Sequence, residues 1–143
     1  MKKKIMYSLL VAGLLFAFAG CGGKKPQVME LSLDSNPTTG YSWTVSQSPE
    51  LFDVSEEYVE NAHEKGMTGV GGQQVFRLSP KSSGTAEVTF VYARPWEDPE
   101  ADSTVIAYTV DVSKDLQINV TGSKSAGGSD INSIPQIPEP VIR

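Results

Sequence analysis

One histidine and one cysteine are all that this 143-residue chain offers in the side chains that most often carry nucleophilic or metal chemistry. His63 stands in Glu60-Asn61-Ala62-His63-Glu64-Lys65, a charged stretch in which an imidazole is ordinarily solvated. A Ser/His/Asp hydrolase would have to route its proton transfers through that one ring, and no nucleophile-elbow motif accompanies it. A zinc site wants several Cys or His ligands. The acidic run Glu97-Asp98-Pro99-Glu100-Ala101-Asp102 suggests calcium, but it lacks the spacing and the glycine of an EF-hand loop and reads as solvated. No phosphate-cradling glycine motif leads from a strand into a helix. The expectation is a protein with no catalytic residue, no metal and no cofactor. Binding is then the class to pursue.

Three stretches carry residue types suited to binding. The first is Asn36-Pro37-Thr38-Thr39-Gly40-Tyr41. Proline fixes φ, glycine can take φ > 0, and two β-branched threonines stiffen the segment between them. Such a loop has little conformational entropy to lose against a partner. The second is Gly66-Met67-Thr68-Gly69-Val70-Gly71-Gly72, four glycines in seven residues. The third is Arg94-Pro95-Trp96-Glu97, where an indole lies in a polar loop. Trp and Arg are the residues most enriched at interface hot spots.

The elements that must position these loops read as strands. Met29, Leu31 and Leu33 alternate, as do Tyr41, Trp43 and Val45. Strand patterns follow over 52–59, 73–78, 85–93 (Ala86, Val88, Phe90 and Tyr92 on one face), 104–112 and 116–120. About seven strands with turn signals and no sustained 3.6-residue period predict an all-β sandwich. From residue 122 the composition turns to Gly/Ser (GSKSAGGSD) and then to proline (IPQIPEP), so 122–143 reads as a disordered tail.

The amino terminus reads as a bacterial lipoprotein signal. Lys2, Lys3 and Lys4 form a basic start, residues 5–19 are uncharged and mostly apolar, and small residues precede Cys21. The expectation is cleavage after residue 20 and lipidation of Cys21. The domain division is then signal 1–20, lipidated cysteine and tether 21–27, sandwich 28–121, and tail 122–143. That placement predicts an exported protein, anchored by lipid to a bacterial membrane, the outer one where the cell has two. The net charge is −5, and loss of the three leader lysines takes it to about −8. An acidic chain argues against nucleic acid, whose phosphates demand a basic face. Monomer is the default.

In this order, NPTTG plus an aromatic, a GxGG-like loop before a strand, and RPW, the chain resembles the chagasin-type inhibitors of papain-like cysteine peptidases over about residues 29–112. The resemblance implies an immunoglobulin-like β-sandwich with the three loops side by side at one end. It also implies that the NPTTG loop enters the peptidase cleft beside the catalytic cysteine. Carried over, Thr38 and Thr39 block the nucleophile, and Gly40 lets the backbone approach. Trp96 lies on the rim of the cleft, with Arg94 and Pro95 holding its loop. Asn36, Pro37 and Tyr41 complete the first loop, and Gly69, Val70, Gly71 and Gly72 form the second. A different reading of the same scaffold is a cell-surface adhesion or assembly module, because one fold hosts many functions. Members of that family usually have a strand before the segment leading into NPTTG. Two readings of strand 116–120 are open: it fills that place as in a circular permutation, or it forms a simple hairpin with the preceding strand through residues 113–115.

Overall fold

The computed structural model describes residues 24–97, 103–127 and 137–143. The predicted leader, Cys21 and residues 98–102 of the acidic loop lie outside the described residues. Among the described residues eight strands form: β1 Met29–Ser35, β2 Ser42–Ser48, β3 Phe52–Glu60, β4 Gly72–Pro80, β5 Gly84–Ala93, β6 Thr104–Val112, β7 Ile118–Gly127 and β8 Val141–Ile142. They build two four-stranded sheets, β3-β4-β1-β8 and β2-β5-β6-β7. Every pairing is antiparallel. The all-β sandwich expected from the alternation is the fold.

Alternation fixes which face each strand turns inward. Met29, Leu31 and Leu33 of β1, Phe76 and Leu78 of β4, Ala86, Val88 and Phe90 of β5, and Ile106, Tyr108, Val110 and Val112 of β6 are all buried. Phe90 joins the sheets by an edge-on contact with Phe76 at a centroid distance of 5.1 Å, and meets Tyr108 of its own sheet edge-on at 6.0 Å. With no cysteine among the described residues, packing and hydrogen bonding hold the sandwich.

The carboxyl-terminal third corrects the sequence reading in two ways. Residues 122–127 are not tail: they continue β7, which runs from Ile118 to Gly127 against β6. Small polar residues read as linker, yet at a sheet edge the backbone ladder supplies the pairing and the side chains face solvent. Residues 137–143 are not free either. Ile137 and Ile142 pack against the core, β8 pairs with β1, and Val28 and Arg143 exchange backbone hydrogen bonds of 2.8 and 3.0 Å. The buried Tyr108 hydroxyl donates to Pro138 O at 2.6 Å, and burial pushes its pKa up to about 12. Residues 128–136 lie outside the described residues.

The hairpin alternative holds for the strand after β6, which therefore joins the second sheet. The place beside β1 is taken by β8. The tether is bound as well: Gln27 N donates to Leu116 O, and the Gln117 amide donates to Lys25 O at 2.9 Å.

Candidate functional site

Strand polarity gathers the three loops. β1 and β5 end, and β2, β4 and β6 begin, at one end of the sandwich. Residues 36–41, 61–71 and 94–97 all emerge there. The amino-terminal approach enters at the other end, a seven-residue strand or roughly 23 Å away.

The first loop is held in large part by its own atoms. Pro37–Thr39 form one turn of 3-10 helix, with Pro37 at its start. Thr39 N donates to Asn36 O at 3.1 Å and Gly40 N to Pro37 O at 3.0 Å. Both threonine hydroxyls turn inward, Thr38 Oγ1 to Asn36 Oδ1 and Thr39 Oγ1 to Asn36 O, each at 2.6 Å. Gly40 closes the turn at φ 84°, the left-handed region that favours glycine. A second reason for glycine is steric, since a Cβ here would overlap Cη2 and Cζ2 of Trp96. The turn between Ser35 and Tyr41 carries no charge, and Pro37, Thr38 and Thr39 are exposed. It is a stiff, neutral wedge.

The other two loops brace it. Arg94 Nε donates to Thr39 O at 3.0 Å, its Nη1 pairs with Glu97 at 2.9 Å, and its guanidinium lies 4.5 Å over the Tyr41 ring. That stacking is a cation–π contact of the kind that contributes about 0.5–1 kcal/mol at an exposed site. The guanidinium thus ties the third loop to the first. It carries Trp96 across Gly40, where the indole is still 70% exposed. Trp is among the residue types most enriched at interface hot spots. From the second loop, Gly69 O accepts from Asn36 Nδ2 at 3.3 Å. A Cβ on Gly71 would approach Ser35 O to 3.4 Å, so the thin glycine backbone lets that loop lie against the first.

Beneath the wedge is an aromatic platform that sequence reasoning left out. Tyr92 stacks on Tyr41 at 5.2 Å and on Trp43 at 4.9 Å, and its hydroxyl accepts from Asn36 N at 3.2 Å. Trp43 Nε1 donates to Asp34 O at 2.8 Å. The signal was present: Trp43 and Tyr92 are the in-phase aromatics of strands that run directly into the loops.

Asn36, Pro37, Thr38, Thr39, Gly40, Tyr41, Gly69, Gly71, Arg94 and Trp96 thus come together through these contacts, with Pro95 exposed beside Trp96 and Val70 half-buried beside Gly71. Gly72 differs. It is buried in β4 between Ser35 and Glu60, and a Cβ there would strike Val59 O and the Tyr58 ring. Internal packing explains that glycine. His63 is exposed in the second loop, its Nδ1 3.1 Å from Asn61 O. Among the described residues no cluster of His, Cys, Asp or Glu could hold a metal ion.

Comparison with known proteins gives the arrangement a class. The chain is 36% identical over 88 residues to amoebiasin-1 of Entamoeba histolytica, covering 62% of this chain and 84% of that one. It is 35% identical over 83 residues to chagasin of Trypanosoma cruzi, covering 54% and 74%. The solution structure of amebosin aligns with a TM-score of 0.51 at 33% identity, over 62% of this chain and 83% of that one. The model of the chagasin family of peptidase inhibitors, I42, matches residues 24–110, a stretch that contains all three loops. The chain belongs to the chagasin family, a family of peptidase inhibitors and not of enzymes.

Proposed function

We propose that the chain is a reversible, competitive inhibitor of papain-like cysteine peptidases, with the three loops occluding the active-site cleft. One observation carries the reading: an uncharged, internally hydrogen-bonded wedge, Asn36 to Tyr41, is braced on both sides by the other two loops. A wedge that is already ordered loses little entropy on binding, and preorganisation of this kind lowers the ordering term that opposes association. The threonine hydroxyls bond within the loop, so the wedge presents methyl groups and backbone and no large side chain. It carries no electrophile or thiol to form a bond with the peptidase, which supports reversibility. Trp96, exposed and pinned over Gly40, supplies the aromatic anchor of a hot spot. Arg94 and Pro95 hold its loop, and Gly69, Val70 and Gly71 form the opposite rim.

The same reading extends to placement. We propose a bacterial lipoprotein, cleaved before Cys21 and lipidated on that residue, exported and held at a membrane as a monomer. The entry of the chain at the end opposite the loops supports this, because a lipid there leaves the wedge facing away from the bilayer. Residues 22–143, titrated into papain with a fluorogenic substrate, test the inhibitory reading. The expected result is competitive inhibition with a constant on the order of nanomolar, as for protease–inhibitor interfaces of standard size. A folded chain that leaves papain active at micromolar concentration would overturn it for papain. Incorporation of radiolabelled palmitate in a bacterial host, lost in Cys21→Ala, tests the lipid.

A further inference from the structure

The sandwich has two lateral flanks, and the wedge stands at one end of the flank between β2 and β3. Among the described residues both strands are sheet edges, so each presents backbone groups that no neighbouring strand there pairs. Two glutamine side chains supply that pairing. Gln74 of β4 reaches across to β2 in the opposite sheet. Its Oε1 accepts from Trp43 N at 2.8 Å, and its Nε2 donates to Trp43 O at 3.2 Å. The same Oε1 accepts from Ser35 Oγ at 2.9 Å, and the same Nε2 donates to Glu56 Oε1 at 2.7 Å. All four hydrogen-bonding positions of the amide are used, and the side chain is 5% exposed. At the far end of the flank, Gln47 of β2 does the converse for β3. Its Oε1 accepts from Leu51 N and Phe52 N, both at 2.9 Å, and its Nε2 donates to Phe52 O at 2.7 Å. Each amide acts as a one-residue strand.

The two staples differ in what they hold. Gln47 fastens the turn between β2 and β3, remote from the loops. Gln74 fastens Ser35 and Trp43, the last residue of β1 and the second of β2, between which the whole wedge is strung. We infer that Gln74 is a positioning residue for inhibition: it sets the angle at which the wedge leaves the sandwich, while Gln47 only closes the fold. The inference rests on the inhibitory reading above. It adds a buried residue that touches no peptidase.

The experiment compares Gln74→Met with Gln47→Met in residues 22–143, measuring thermal midpoint and inhibition of papain for each. Both variants are expected to lose stability. Gln74→Met is expected to weaken inhibition on the order of tenfold, as when buried hydrogen-bonding groups are left unpaired. Gln47→Met is expected to stay within about twofold of the wild type, because its contacts are at the other end. Gln74→Glu adds a readout that loss of stability does not mimic. Ionised, its carboxylate opposes both Trp43 O and the Glu56 carboxylate. Burial and Glu56 favour the protonated acid, whose hydroxyl restores a donor. Its inhibition constant relative to wild type, taken at each pH, should therefore recover as pH falls from 8 to 5. Equal inhibition by wild type and Gln74→Met, or equal weakening in the two methionine variants, would overturn the inference. So would a pH-independent ratio for Gln74→Glu. Should neither Gln74 variant fold, hydrogen exchange in the wild type decides: protection of the Trp43 amide matching that of β5 supports the staple, and exchange at the rate of an open edge overturns it. A wild type that does not inhibit papain would instead overturn the reading beneath it.

Discussion

The first and second loops stand side by side and are built on opposite plans. Between Asn36 and Tyr41 five hydrogen bonds close within the loop, and proline, two threonines and a left-handed glycine restrict what remains. Between Asn61 and Gly71 the ties are few: Asn61 N to Gly71 O, Met67 N to Glu64 O, His63 Nδ1 with Asn61 O, and Gly69 O from Asn36 Nδ2. Gly66 and Gly69 both take positive φ there. One loop is fixed before it meets a partner, and the other is thin and able to adapt. The difference teaches where binding energy should concentrate: substitutions that loosen the first loop should cost affinity, and those in the second should be partly absorbed.

The largest loss is expected where the third loop rests on the first. Trp96→Ala should weaken papain inhibition by about 2 kcal/mol or more, the range of an interface hot spot, with little change in thermal midpoint because the indole is exposed. Gly40→Ala should approach the same loss by displacing that indole. An unchanged inhibition constant in Trp96→Ala would remove the residue from the site. Next comes Asn36→Ala, which deletes the acceptor of Thr38 and the donor to Gly69 together. A loss of about 1–1.5 kcal/mol in affinity is expected, since two modest hydrogen bonds that order the wedge disappear. Gly69→Ala sharpens the contrast. Its φ of 75° makes alanine strained by about 1 kcal/mol, but the second loop can shift, so inhibition should change less than in Asn36→Ala. The reverse order would mean that the second loop is the rigid one.

The smallest effect belongs to the opposite flank, and it is a pH effect. Tyr108 has a folded pKa of about 12 against an ordinary value of 10, because burial penalises its phenolate. A raised folded pKa means that the hydroxyl's contribution is fully present below pH 10 and fades as pH rises toward 12. The stability that the hydrogen bond to Pro138 lends to the docking of residues 137–143 should therefore decline over that window. Tyr108→Phe should lack this component of the alkaline transition, followed by tyrosinate absorbance and circular dichroism, and should inhibit papain at neutral pH as the wild type does.

Much of this was legible in the sequence, for definite reasons. All seven expected strands are present, most surely where period-two alternation is clear, since the buried face of β1, β5 or β6 leaves no register but one. The wedge was legible because proline, threonine and glycine constrain the backbone through their own covalent structure. What escaped was pairing between residues distant in sequence. Residues 122–127 carry no apolar alternation, since an exposed edge strand needs only a backbone ladder. Residues 137–143 look like a proline-rich tail until Tyr108 and β1 are placed beside them. Gln74 gives the sharpest case: it occupies an inward position in phase with Phe76 and Leu78, and only the opposite sheet shows why an amide belongs there.

The central claim, that the wedge fills the catalytic cleft, is tested most directly at the peptidase thiol. Papain would be mixed with a stoichiometric amount of residues 22–143 and treated with iodoacetamide, and alkylation of its catalytic cysteine followed by mass spectrometry. The account predicts strong protection, with the wedge uncut and the thiol recovered on dissociation. Inhibition measured before iodoacetamide is added, followed by alkylation of the cysteine at its free rate, would contradict it, because inhibition would then come from a surface other than the three loops in the cleft.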